Sequence, residues 1–264
     1  MGLPVATLGV LLVLSAGGGA PGFTVVIDPG HGGSNRGAPT KQPDTFEKHV
    51  TLAIAKRVQR ILAVEKNLKV VLCRSTDVFL PMRARVRCGN QAGARLFISL
   101  HANAAGPAEE PGSQKGFEIY LLPVGEVDKE VARVALLAPD DSEAAWAGHQ
   151  VRTAAAQSLA AARRIEWRLA DTLGRERNRG IKQEGATLDV LQGLDMPAVL
   201  VEIGFLDHAE DGPYLLSEEG QRTIATALAG AITDLRSREQ RGLKEPMTTA
   251  PRPGQAIAEP PPQK

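Results

Sequence analysis

The chain has 264 residues, 43% of them apolar, and its 31 Lys and Arg residues nearly balance its 30 Asp and Glu residues. This length favours one domain with a sizeable core plus terminal appendages. The balanced charge lacks the basic excess of nucleic-acid-binding proteins, so we expect no nucleic-acid partner.

The first twenty residues contain an apolar run from Leu3 to Ala16, followed by small residues up to Ala20. This pattern is typical of a signal peptide, so residues 1–20 are predicted to direct export to the periplasm or the cell exterior. The run is short for a membrane span, and no later segment reaches the roughly 20 apolar residues that a span needs. We therefore expect no stable membrane span in the mature chain.

Short apolar runs alternate with helical periodicity along residues 23–236. The apolar runs predict five strands, at Phe23–Asp28, Leu68–Cys73, Leu96–Leu100, Phe117–Leu122 and Ala198–Glu202. Apolar residues repeat at helical spacing over 50–62 and over 224–235, the latter behind a Ser217 cap. This alternation predicts a single-domain, three-layer α/β fold, in which helices flank a twisted sheet that is mixed or mainly parallel.

Two segments do not fit this alternation. Residues 124–150 contain an acidic stretch with Pro139, which interrupts what would otherwise be a short crossover, and we interpret them as an insertion. Residues 237–264 are polar and rich in proline, so they are predicted to form a disordered tail or a tether.

The chain has two cysteines, Cys73 near the end of a predicted strand and Cys88 within a helical pattern. Two thiols do not make a disulfide framework, so buried free thiols are the favoured interpretation. Export leaves one bridge as the alternative, because the sequence does not establish whether the two Cβ atoms approach to about 4 Å.

Two histidines follow predicted strands directly. His31 lies in the sequence Asp-Pro-Gly-His-Gly-Gly at 28–33, and His101 follows the strand that ends at Leu100. Taken alone, each histidine could have a purely structural role, either in a glycine-rich turn or in the core with backbone hydrogen bonds. In open α/β sheets, however, ligands gather at the carboxyl ends of the strands, so the pair indicates one shared site.

Two glutamates are predicted at the same edge. Glu47 begins the helix after the His31 loop, where a favourable helix dipole is the simplest explanation. Catalytic zinc sites also use two histidines with one carboxylate, so His31, Glu47 and His101 are predicted to bind Zn²⁺ and leave a fourth position for water. Glu202 interrupts an apolar strand end. It is interpreted as the catalytic base, with a structural salt bridge as the alternative.

These segments resemble the zinc-dependent N-acetylmuramoyl-L-alanine amidases of the amidase 3 family. The resemblance covers roughly residues 24–235 and rests on Asp28–Gly33, Glu47, Phe97–Ala104, Arg179–Gln183 and Pro197–Phe205. It implies zinc on His31, Glu47 and His101, with Glu202 as the catalytic carboxylate. It also implies hydrolysis of the amide bond between N-acetylmuramic acid and L-alanine in bacterial peptidoglycan.

Further roles follow for residues outside the ligand set. Asp28 or Asn103 would orient the ligands, and Lys182 and Gln183 would bind the peptide or the glycan, although turn and surface roles are at least as consistent with the sequence.

Residues 124–150 resemble, more weakly, the regulatory insertion of division amidases. The spacing of Glu126, Val127, Glu130, Val131 and Val134 predicts a short helix. One of its carboxylates would block the site until an activator protein relieves the inhibition, and an ordinary solvated helix and loop is the alternative.

Two other functions stay open. A zinc carboxypeptidase or aminopeptidase of related fold would use similar ligands, whereas a non-enzymatic cell-wall binding module would have no need of Glu202 beside a complete ligand set.

Overall fold

The computed structural model describes residues 22–106, 108–183 and 188–242. The predicted signal peptide, 1–20, and residues 243–264 of the predicted tail lie outside these ranges. Within them, no helix is both long and apolar enough to cross a membrane.

Six strands in the described residues form one mixed sheet. They are β1 (Phe23–Pro29), β2 (Leu68–Leu72), β3 (Leu96–Asn103), β4 (Phe117–Tyr120), β5 (Asn178–Lys182) and β6 (Ala198–Phe205). Their order across the sheet is β2-β1-β3-β6-β4-β5. The neighbours β2, β1, β3 and β6 are parallel to one another. Strand β4 is antiparallel to β6, and β5 is parallel to β4. The predicted α/β class with a mixed sheet is confirmed.

Helices lie on both faces of this sheet. They are α1 (Glu47–Leu62), α2 (Met82–Gln91), α3 (Val124–Leu137), α4 (Asp141–Leu173), α5 (Asp211–Leu216) and α6 (Glu218–Gln240). On one face, α1, α4 and α6 form the larger core, which includes Ile54, Ile165 and Ile232. A smaller core around Phe97 and Leu200 lies on the other face, where α2 and a short 3₁₀ helix pack together. The result is the predicted three-layer arrangement.

The sequence predicted the start of α6 correctly but not its end. Ser217 caps the helix as predicted, since its hydroxyl oxygen accepts a hydrogen bond from the Gly220 N–H at 2.9 Å. The helix then continues to Gln240, so the predicted tail boundary at Ser237 is wrong. Polar residues extend the helix there because they form ion pairs, such as that between Glu239 and Arg95, in place of apolar contacts.

The insertion at 124–150 folds as α3 and the first part of α4, which confirms the predicted short helix. Among the described residues, no ion pair or hydrogen bond joins its carboxylates to the predicted ligands. Glu126 pairs with Lys129 at 2.6 Å and accepts a hydrogen bond from Gln192, while Glu130 pairs with Arg133 at 2.5 Å. These contacts are typical of a solvated helix, in which neighbours three residues apart pair with each other.

The two cysteines form a disulfide bond, so the interpretation as buried free thiols is wrong. Cys73 follows β2 and Cys88 lies in α2, and the fold brings their Cα atoms to 5.7 Å. The spacing of 15 residues did not reveal this proximity, because it depends on how α2 packs beside β2. The bridge also lies next to Arg74 and Arg85, which hold the loop that carries His31.

Reduction of this bridge is expected to lower the free energy of unfolding by about 3 kcal/mol, the value typical of a closed loop of this length. Urea unfolding with and without dithiothreitol measures the difference. A variant with both Cys73→Ser and Cys88→Ser should match the reduced protein and no longer respond to the reductant. Identical unfolding midpoints for oxidised and reduced wild type would contradict the expectation.

Candidate active site

The loop that follows β1 presents His31 in an unusual backbone conformation. His31 has φ of 60°, in the left-handed region that favours glycine, and Gly32 and Gly33 also have positive φ. Two buried arginines hold this conformation through backbone carbonyl oxygens. Arg85 donates to the His31 carbonyl at 2.6 Å, and Arg74 donates to the Gly30 carbonyl at 2.7 Å.

Glycines are required where the predicted ligands pack together. A Cβ atom at Gly30 would overlap the imidazole of His101, and one at Gly37 would overlap both Glu47 and His31. Gly37 was not identified from the sequence. A glycine is needed at this position because the loop packs against Glu47 at the start of α1 and against His31.

The structure brings His31, Glu47 and His101 together as predicted. Nε2 of His31 lies 2.9 Å from Oε2 of Glu47, and Nδ1 of His101 lies 2.9 Å from Oε1 of the same carboxylate. One donor atom from each residue lies within 4.8 Å of the others. Two imidazole nitrogens and one carboxylate are the donor set of many catalytic zinc sites, so these residues fit a zinc ion.

Glu47 is buried, and both of its carboxylate oxygens have hydrogen-bond partners. Its two oxygens also accept hydrogen bonds from the backbone N–H groups of Ala102 at 3.1 Å and Ala38 at 3.0 Å. Burial alone would raise the pKa of Glu47, but hydrogen bonds from His101 and His31 hold it well below its usual range. Burial opposes a charge on His31, yet the hydrogen bond with Glu47 raises the pKa of that imidazole. The carboxylate is therefore ionised and ready to neutralise a cation.

Asn35 orients His31, a role that the sequence did not reveal. Its Oδ1 atom lies 2.9 Å from Nδ1 of His31 and also accepts the Gly37 N–H. An amide oxygen only accepts, so Nδ1 carries the hydrogen and Nε2 is directed toward Glu47. The two residues predicted for this role have other partners: Asp28 binds Arg85, and Asn103 binds Glu118.

Glu202 lies beside the ligands, directly opposite His101 in the pairing of β3 and β6. Its Oε2 atom is buried and has no hydrogen-bond partner in the described chain. Burial, and then the negative charges of Glu47 and Glu118, raise the pKa of Glu202 well above its usual range. The alternative of a structural salt bridge therefore finds no support, because no cation among the described residues pairs with Glu202.

A second carboxylate, Glu118, lies opposite Glu202 in the antiparallel pair of β4 and β6. It is fully satisfied, because it accepts hydrogen bonds from Asn103 at 3.0 Å, Tyr120 at 2.8 Å and Arg179 at 2.8 Å. The contrast between the two glutamates is informative. Glu118 has three hydrogen-bond donors, whereas Oε2 of Glu202 has none among the described residues.

The substitution Glu202→Gln is expected to raise the free energy of unfolding of the metal-free protein at neutral and alkaline pH. Because burial raises the folded-state pKa of Glu202 above its unfolded value, ionisation lowers stability as pH rises above that unfolded value. Glutamine cannot ionise, so the stability gap between variant and wild type should be near zero at about pH 4 and widen toward about pH 8. Urea unfolding in chelator measures this gap.

A matched control is Glu118→Gln. It replaces a carboxylate that accepts three hydrogen bonds, one of them from an arginine, and is expected to lower stability at neutral pH. A stability gap for the Glu202 variant that is largest at low pH would contradict the account.

Comparisons with known proteins identify the family of the chain. The Amidase_3 family model, described as N-acetylmuramoyl-L-alanine amidase, matches residues 25–234. The N-acetylmuramoyl-L-alanine amidase AmiA of Escherichia coli K12 is 32% identical over 224 residues, which cover 79% of this chain and 74% of AmiA. AmiC of E. coli O6:H1 is 29% identical over 80% of this chain, which spans only 52% of the length of that relative.

A solved structure shows the same architecture. The catalytic domain of CwlV, an N-acetylmuramoyl-L-alanine amidase from Bacillus (Paenibacillus) polymyxa var. colistinus, superposes with a TM-score of 0.63 at 29% identity. The match covers 81% of this chain and 98% of the CwlV domain. The chain therefore belongs to the amidase 3 family of N-acetylmuramoyl-L-alanine amidases.

Proposed function

We propose that this protein hydrolyses the amide bond between N-acetylmuramic acid and L-alanine in peptidoglycan, with a zinc ion bound by His31, Glu47 and His101. One observation carries the proposal: a buried glutamate with an unpartnered oxygen, Glu202, lies beside three side chains whose donor atoms could hold a metal ion. Membership of the family supports the choice of the scissile bond.

The side chains divide the chemistry between them. A bound zinc ion supplies a Lewis acid, which polarises the scissile carbonyl and lowers the pKa of a water molecule. Glu202 would accept the proton of the attacking water, because its unpartnered oxygen lies beside the proposed ligands. Glu202 then returns this proton to the alanine nitrogen, because the amine is a poor leaving group until it is protonated. Asn35 and Glu47 keep the imidazole of His31 in place throughout.

The proposed substrate places the protein outside the cytoplasm, in the periplasm or beyond the cell. The disulfide bond between Cys73 and Cys88 supports this location, since such bonds persist in oxidising compartments. Regulation by an activator protein stays a prediction. Inhibition by a carboxylate of α3 would require this helix to move, because Glu126 pairs with Lys129 and Gln192, and Glu130 pairs with Arg133.

Digestion of purified peptidoglycan tests the proposal against its alternatives. An amidase releases new L-alanine amino termini and leaves the glycan strands intact. Other new peptide termini would identify a carboxypeptidase or an aminopeptidase, and adsorption without any cleavage would identify a binding module. Labelling of free amino groups, followed by mass spectrometry of the released peptides, distinguishes the three outcomes.

A further inference from the structure

Strand β5, at the edge of the sheet, contains a bulge that orients two cationic side chains. Asn178 pairs with Phe117 and Ile181 with Ile119, so two residues of β5 oppose one residue of β4. The extra residue is Gly180, which has φ of 87°. In a regular strand, residues three apart point to opposite faces, but the bulge places Arg179 and Lys182 on the same face.

That face is the one that carries the active site. Across the sheet, His101 lies opposite Glu202, and Glu202 lies opposite Glu118. Arg179 continues this row, since its Nε atom donates to Glu118 at 2.8 Å. Lys182 pairs with Tyr120, whose hydroxyl also donates to Glu118. The row therefore runs from the metal ligands to two cations on β5.

The guanidinium of Arg179 is held by several contacts, but not all of its N–H groups donate a hydrogen bond to a described residue. It stacks on the ring of Phe205 at 4.9 Å, and its Nη1 atom donates to Gln114 at 2.9 Å. Within the described chain, its Nη2 atom has no hydrogen-bond partner, and Lys182 forms no ion pair. The Arg179 side chain keeps 31% of its surface exposed. Both cations are thus available to an anionic group that enters along the row.

The spacing of the row matches a short peptide. Three strand spacings of about 4.8 Å separate β3 from β5, or about 14 Å in total. Three residues of an extended peptide cover about 10 Å. The side chains of the peptide and of the protein can span the other ~4 Å between β3 and β5. We propose that Arg179 and Lys182 bind a free carboxylate on the third residue of the stem peptide. This inference rests on the proposed function, which places the bond before the first residue at the metal ligands.

Two synthetic substrates test the inference. Both are muramoyl tripeptides with an amidated carboxyl terminus, and they differ only in whether the third side chain ends in a carboxylate or in its carboxamide. We expect wild type to favour the carboxylate about tenfold or more in kcat/KM, since charge-assisted hydrogen bonds are the stronger ones. Lys182→Gln should remove most of this preference through KM, with kcat nearly unchanged, and Lys182→Glu should reverse it.

Lys69→Gln is the matched control, because Lys69 is an exposed lysine on β2, at the opposite edge of the sheet. It should keep the preference of wild type. Equal KM values of wild type for the two substrates, or an equal rise of KM for both in Lys182→Gln, would overturn the inference and leave the proposed function intact. Cleavage of neither substrate by wild type would contradict the proposed function itself.

Discussion

Glu202→Gln is expected to lower turnover on purified peptidoglycan about 10²–10⁴-fold, the usual range for a general acid/base, while the zinc content equals that of wild type. The reason is geometric: Glu202 lies opposite His101 but is not a member of the ligand group. Glutamine fills the same space and cannot accept a proton. Hydrolysis rates and metal analysis on the same preparation measure the two quantities.

Glu219→Gln is a suitable control, because Glu219 is an exposed glutamate in the first turn of α6. It should leave both turnover and zinc content unchanged. Normal turnover in the Glu202 variant would show that the proton acceptor lies elsewhere. Loss of zinc in the same variant would mean that Glu202 is a ligand and not a base.

Removal of a proposed metal ligand is expected to lower activity more than the Glu202 substitution does. His101→Ala takes away one of three protein donors and leaves Glu47, which is buried, without one of its two imidazole partners. We expect this variant to lose stoichiometric zinc and to hydrolyse peptidoglycan more slowly than Glu202→Gln, since both the Lewis acid and the activated water depend on the metal.

His149→Ala provides the comparison, because His149 is an exposed histidine on α4. It should keep zinc and activity, which separates ligand loss from the loss of any histidine. Circular dichroism checks that both variants are folded. Full zinc content together with normal activity in His101→Ala would eliminate the proposed ligand set.

Much of the fold was accessible from sequence because the central strands are short and continuously apolar. The strands that carry His101 and Glu202 are buried on both faces, so their apolar runs marked them clearly. The positions of His31, His101 and Glu202, just after or at the end of such runs, then indicated a common edge, and Glu47 was added because it begins the helix after the His31 loop. This argument selected the three proposed ligands and Glu202 without any information on side-chain contacts, and the fold brings His31, Glu47 and His101 together.

The remainder of the site depends on features with no comparable signal. Strand β5 was not predicted, because its sequence is mostly polar and its glycine forms a bulge. The role of Glu118 depends on the antiparallel direction of β4, which no pattern in the sequence specified. Asn35 reaches His31 only through the left-handed conformation of the loop between them.

The most direct test of the account is the release of L-alanine amino termini from peptidoglycan by protein that has been stripped with chelator and then titrated with zinc. The account predicts no release from the metal-free protein and a rise that reaches its maximum at about one zinc ion per chain, in keeping with the single ligand group that the described residues form. Full release by the metal-free protein, or zinc-dependent release of peptides that do not begin with L-alanine, would contradict it.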